Sequence, residues 1–506
     1  METYGTPAPA DPFARSRICF ESLAGDLAGG RAGEMTHDQL EELIGVRGRE
    51  LERQLLQDHL DLRALREEQA LPAGGEARRV EGRGRVERGH ERGLATVFGR
   101  VTVRRLAFRA PGRVNVYPAD VALSLPKGRH SHGLARLAVC AAARGSYDAA
   151  KAAIGARCGP VAGKRQLEEL VKTAAVDTGG FYARRVPMPC TSEVLLVLSA
   201  DGKGIVMRPE GLRPATRKAA AGKKRVFRTR LASGEKTCRK RMAALACVYD
   251  AAPAQRRPHD VIAVPGGRSG AREIRRGPRA EAKWLTGSVA RDAKEVIRAA
   301  FGQAGARDPA HARTWVVLAD GDRHQIELIE AEAAHRKAEV HLVLDLVHVL
   351  EYLWGAAWCF HARDDPAAED WVAVQALAVL GGRARQVTES LTAQAGLHRL
   401  TESQRAGVET CVRYLTSNEE YLRYDQALAA GWPIATGVIE GAARHLIGDR
   451  LDIAGSRWGI EGAEAILRLR AVTGNGDFEA YWAFHLRCEH DRVHQARDQD
   501  RYDLVA

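Results

Sequence analysis

The sequence has no long uninterrupted apolar run. Its greasiest stretch, residues 342–360 (LVLDLVHVLEYLWGAAWCF), is broken by Asp345, His348 and Glu351, and charged groups are costly inside a bilayer, so no membrane span is expected. Residues 1–20 lack the continuous apolar segment of a secretion signal. Cysteines number nine, an odd count, and none sits in a C-x-x-C pair. This argues against a disulfide framework or a zinc ribbon and for reduced thiols in a cytosol. No internal repeat is visible. No basic amphipathic helix carries a matching aromatic face, which disfavours a membrane surface as partner.

What is present is a chain of 506 residues, 45% apolar, enough for roughly three or four domains with real cores. Lys and Arg total 76 against 64 Asp and Glu, a formal charge of +12. Such an excess favours a polyanionic partner, nucleic acid first. Residues 36–70 place Leu at helical spacing among charges and predict one or two amphipathic helices. Residues 71–93, rich in Gly and Arg, read as a linker. Residues 94–112 predict a strand pair carrying Arg100, Arg104, Arg105 and Arg109. Residues 131–175 predict three short helices, the second closed by Gly159. This pattern suggests a helix-turn-helix, with Lys164, Arg165 and Gln166 at the start of the reading helix.

Composition shifts after Pro189. Residues 192–208 (SEVLLVLSADGKGIVMR) read as strand, Asp-Gly turn, strand. Residues 213–241 hold twelve Lys or Arg and one acid, Glu235. Its cations are candidates for phosphate contact: Lys223, Lys224, Arg225, Arg228 and Arg230, then Lys236, Arg239, Lys240 and Arg241, with Lys203 beside them in sequence. The alternative for this run is a solvated loop. MAALACVYD (242–250) predicts a third strand, and 286–304 a helix. TWVVLAD (314–320) and EVHLVLD (339–345) predict buried strands separated by a helix, hence parallel pairing. Residues 355 to about 430 read as helical throughout, as does the chain from Gly437.

Three antiparallel strands followed by helix, strand, helix, strand is the element order of a ribonuclease-H-like sheet. Phosphoryl transfer there uses two divalent metals that stabilise attacking and leaving oxygens, held by carboxylates that converge at strand ends. Asp201 and Asp320 each follow an apolar strand. For either one alone, a plain turn residue is the commoner explanation. Asp345 competes with Asp320, and Glu440 with Asp449 and Asp452. Spacing does not choose among them.

Several stretches are similar to bacterial insertion-sequence transposases of the ISKra type, within the DDE superfamily. They are SADGKGIVMRPEGLRPAT (199–216), TWVVLADGDRHQIE (314–327), LVLDLVHVLEYLWGAAWC (342–359), GWPIATGVIEGAARHLIGDRLDIAGSRWG (431–459) and GNGDFEAYWAFH (474–485). The resemblance covers nearly the whole chain from about residue 36. It implies that Asp201, Asp320 and Glu440 are the catalytic, metal-binding acids, holding two Mg²⁺ or Mn²⁺ ions. It makes Asp345 and His348 an accessory D-x-x-H pair beside the site. Arg457 and Trp458 match the family's closing R-W, Trp458 either stacking on a base or filling the core. Relatives often carry zinc-ribbon cysteines around the segment equivalent to 83–118, where this chain has none, so a zinc-bound module is doubtful. The implied partners are double-stranded DNA (inverted-repeat ends and target) and at least a second copy of the chain, with no membrane.

The implied fold is an α/β ribonuclease-H-like mixed-sheet catalytic core, interrupted by an all-α insertion and preceded by a mainly helical DNA-binding region. The expected boundaries are 1–75 helical, 76–125 linker and small β segment, 126–190 helix-turn-helix-like, 191–354 first part of the core, 355–430 insertion, and 431–506 end of the core and tail. The rival expectations are a catalytically decayed DNA-binding regulator and a nuclease on the same sheet without strand transfer.

Overall fold

The computed structural model describes residues 11–70, 85–109, 114–187, 190–222, 239–266, 274–398 and 400–495. They divide into two compact units. One comprises residues up to Ala183 together with those from Phe478 onward; the other is Arg184–Asp477. Among the described residues no helix is long and apolar enough to cross a membrane.

In the first unit, residues 36–70 form one helix, His37–Gln69, opened by a reciprocal cap between Thr36 and Gln39. β1 (Arg85–Thr96) and β2 (Gly99–Arg109) make an antiparallel hairpin. The pair starts at Arg85, inside the stretch whose composition reads as linker. Cross-strand pairs Glu87–Arg109 (2.9 Å) and Glu91–Arg104 (3.1 Å) suit those polar residues to a strand. The apolar face of the hairpin, Leu94, Val101 and Val103, packs with Leu60 of the long helix and Leu125. The three expected short helices are His132–Arg144, Tyr147–Cys158 and Lys164–Ala174. Ser131 and Ser146 cap the first two, and Gly159 ends the second at φ 78°. The helix Phe478–His490 completes this unit. The Tyr481 hydroxyl donates to the Ala174 carbonyl, and His485 Nδ1 lies 2.7 Å from Asp177 Oδ2.

The second unit is mixed α/β. Its sheet has the order β5-β4-β3-β6-β7, with β3 Leu195–Val206, β4 Lys240–Ala251, β5 Glu281–Ser288, β6 Trp315–Ala319 and β7 Val340–Leu344. β3, β4 and β5 pair antiparallel; β6 and β7 run parallel to β3. All five residues of β6 are buried, so both faces of the sheet are covered. Helices Ala293–Arg307, Gly437–Ala443 and Ile460–Gly474 pack against it. Residues 355–430 form, where described, helices joined by turns, with Ala367–Leu380, Ala384–Leu397, Glu402–Ser417 and Tyr424–Ala430.

Two local expectations fail. No turn forms at Asp201-Gly202: β3 runs straight through it, and every residue from Leu195 to Val206 has a partner on β4. Continuous pairing satisfies these backbone groups and overrides the turn preference of Asp-Gly. The third antiparallel strand is therefore β5, and residues 286–288 end it, opposite Ala246, Leu245 and Ala244. The helix expected from 286 begins at Ala293, where Asp292 and Glu295 cap each other.

Candidate catalytic and metal centre

Strand register places three aspartates in one row. Ser199 faces Leu318 across β3 and β6, and continuing both strands by two residues brings Asp201 level with Asp320. Ala319 faces Leu344 across β6 and β7, and one further step brings Asp320 level with Asp345. The Asp345 N–H donates to the Ala319 carbonyl at 2.8 Å, which extends this ladder by one bond. Asp201 thus reaches the carboxyl edge of the parallel strands although it lies within its own strand. Glu440 comes from the helix Gly437–Ala443, which packs on β3 and β4.

The aspartates differ in environment. Asp345 is fully buried. Its Oδ1 accepts the Thr436 N–H at 2.9 Å, and its Oδ2 lies 2.7 Å from His348 Nδ1. Thr436 in turn donates its hydroxyl to Glu440 Oε1 at 3.0 Å, so a single threonine ties Asp345 to Glu440. Burial alone would lower the His348 pKa. The bond to Asp345, with the charges of Asp345, Asp320 and Glu351, outweighs that and raises it. Asp201 is half-buried. Burial pushes its carboxyl above the ordinary range; the Gly202 N–H and Lys203 pull down, while Asp320 and Glu440 push up. Asp320 and Glu440 are therefore close enough to act on Asp201 electrostatically.

Among the described residues, the group of three whose ligand atoms lie within 4.8 Å of one another is Asp345, His348 and Glu440. This is tighter than the expected set of Asp201, Asp320 and Glu440. The chemistry of the donors separates their roles. Both oxygens of Asp345 are already engaged inside the protein, and His348 spends Nδ1 on it, an arrangement that orients a histidine and its neighbours. Asp201, Asp320 and Glu440 retain more solvent access and offer oxygen donors suited to Mg²⁺ or Mn²⁺. The residues present fit a divalent cation. The rivals for the third acid are engaged elsewhere: Asp452 pairs with Lys240 at 3.0 Å and Asp449 with His445 at 3.2 Å.

Trp458 fills the core. It is 7% exposed, its Nε1 donates to the Leu451 carbonyl at 3.0 Å, and the Arg450 guanidinium lies over its ring. Arg457 is exposed. Of the cations expected at DNA, Arg241 is turned onto the carbonyls of Val289 and Ala290. In the first unit, Lys164 pairs with Asp148 at 2.6 Å, Gln166 caps its helix through the Gly163 N–H, and Arg165 is exposed. Lys203 is half-buried and Arg239 exposed. Lys223, Lys224, Arg225, Arg228, Arg230 and Lys236 lie outside the described residues. Sequence reasoning missed Thr436. Its only signal is its place four residues before Glu440, where a helix-opening hydroxyl reaches the carboxylate. Compared with models of known families and with curated proteins, the chain matches none.

Proposed function

We propose that the chain is a transposase of the DDE type on a ribonuclease-H-like core, acting on the phosphodiesters at the ends of a mobile DNA element. The observation that carries the reading is the register row Asp201, Asp320, Asp345, capped by Glu440. Carboxylates crowd there on three neighbouring parallel strands, and burial, together with the charges of Asp320 and Glu440, raises the Asp201 carboxyl. Such crowding suits a site built for cations. Element order and the helical stretch between Asp345 and Glu440 support the same reading.

Asp201, Asp320 and Glu440 would hold two Mg²⁺ or Mn²⁺ ions, which supply Lewis-acid stabilisation of the attacking and leaving oxygens. The buried Asp345 fixes His348 and, through Thr436, the Glu440 carboxylate. In the first step water oxygen bonds to phosphorus, the bond from phosphorus to the 3′ oxygen breaks, and a 3′-hydroxyl is freed. In the second that hydroxyl attacks a target phosphodiester and displaces its 3′ oxygen. Double-stranded DNA is the substrate, with the helices of residues 132–174 and the basic run 213–241 as its holders, and two chains bring two ends together.

Asp201→Asn, Asp320→Asn and Glu440→Gln are each expected to abolish Mg²⁺-dependent cleavage of element ends while end binding, read by gel shift, persists. Normal cleavage by any one of them removes that residue from the site. Asp345→Asn should retain reduced activity. Cleavage without joined products would assign a nuclease instead.

A further inference from the structure

The helical stretch between β7 and Glu440 sends two tyrosine hydroxyls back to the strand ends. Tyr414, on the helix Glu402–Ser417, donates to the main-chain oxygen of Asp320 at 3.0 Å. Tyr424, which opens the helix Tyr424–Ala430, donates to the main-chain oxygen of Leu344 at 3.0 Å. Leu344 is the residue before Asp345. The two bonds thus land on adjacent parallel strands, one at each point where strand pairing stops.

Both tyrosines are packed to hold these positions. The Tyr414 ring stacks on Tyr352, centroids 3.9 Å apart and planes 17° from parallel. It also fills the space above Gly321, which has φ +94°; a Cβ there would sit 2.8 Å from the Tyr414 hydroxyl. Tyr424 is fully buried. The turn that Tyr414 holds is tight: Asp320 Oδ1 accepts the Asp322 N–H at 2.9 Å. Burial raises both phenols far above their ordinary pKa, so each hydroxyl keeps its proton near neutral pH.

We propose that Tyr414 and Tyr424 are positioning residues, and that the helical stretch is a brace whose two hydroxyl-to-carbonyl bonds fix the spacing of Asp320 and Asp345 and so set the affinity of the carboxylate cluster for a divalent cation. The inference rests on the metal-binding reading of Asp320. Both residues act through the main chain, and neither needs to touch the cation. A helical stretch that merely filled space would need the rings and not the hydroxyls.

The test is Mn²⁺ binding to the full chain without DNA, read as loss of the free-ion signal in electron paramagnetic resonance. Tyr414→Phe and Tyr424→Phe keep the rings and remove only the hydroxyls. Each is expected to weaken Mn²⁺ binding roughly tenfold, the range for residues that orient ligands, with the Tyr414→Phe melting temperature unchanged. Asp320→Asn is the control and should bind Mn²⁺ worse still. Wild-type affinity in both Phe variants beside an impaired Asp320→Asn overturns the brace. Wild-type affinity in Asp320→Asn overturns the metal reading, and the brace with it. If Tyr424→Phe does not fold, Tyr414→Phe and Gly321→Ala decide, and unchanged Mn²⁺ affinity in both rejects the brace.

Discussion

The two edges of the sheet in the second unit treat the same residue type in opposite ways. At the amino edge of the parallel strands, Asp250 accepts from Arg313 at 2.7 Å and from Arg307 at 3.2 Å. Asp308 beside it accepts the N–H groups of Ala312 and Arg313, both at 3.0 Å, and Trp315 Nε1 at 2.9 Å. Burial pushes the Asp308 carboxyl up, but these bonds outweigh it and hold its pKa low. At the carboxyl edge Asp201 moves the other way, raised by burial and by acidic neighbours. The acids of one edge are paired with cations or N–H donors; at the other, Asp201 sits among acids. Under the proposed reading, the first edge stabilises the sheet and the second is the one kept for cations.

The largest stability effect that would sharpen this contrast is at Arg313. Arg313→Ala strips a buried guanidinium from Asp250 and from the carbonyls of Val194 and Leu195. It should cost about 3–5 kcal/mol in urea unfolding; a loss under about 1 kcal/mol would break the contrast. Asp308→Asn should cost about 1–3 kcal/mol at neutral pH. Because the folded pKa is lowered, that contribution is present above the unfolded carboxyl value of about 4 and fades as pH falls below it. Wild type and variant should therefore converge in acid. Asp201→Asn is the smallest and has the opposite sign. In EDTA it should stabilise the protein, by under about 1 kcal/mol. The folded pKa is raised, so the charged aspartate is a liability that grows as pH rises through that value. The gain should be largest near neutral pH and vanish in acid, as differential scanning calorimetry would show.

Much of this edge was legible in sequence. Asp320 and Asp345 announce themselves because each follows a short apolar strand, and strand ends are where side chains can converge. Asp201 was legible as a candidate for a mistaken reason. Asp-Gly was read as a turn, whereas β4 pairs straight past it, and a pairing partner about 40 residues away leaves no local mark. Glu440 could not be chosen over Asp449 and Asp452 by pattern. Asp452 is engaged by Lys240 from 212 residues away, a tertiary fact, while Asp449 meets His445 one helical turn back. Tyr414, Tyr424 and the Thr436 amide were illegible for the same reason: each reaches an atom 94, 80 or 91 residues distant. The three helices of 131–175 were clear because serine caps and a glycine stop are local chemistry.

The first unit is made from two pieces of chain separated by the whole of the second. His485 and Arg492 both reach Asp177, and Arg136 meets Glu479 at 2.6 Å. During synthesis the amino-terminal piece must wait, its docking surface open, until the ribosome has passed Phe478. A message truncated within the second unit therefore does not release a finished amino-terminal module. Loss of the last helices by a frameshift should cripple the first unit, although they lie at the other end of the chain.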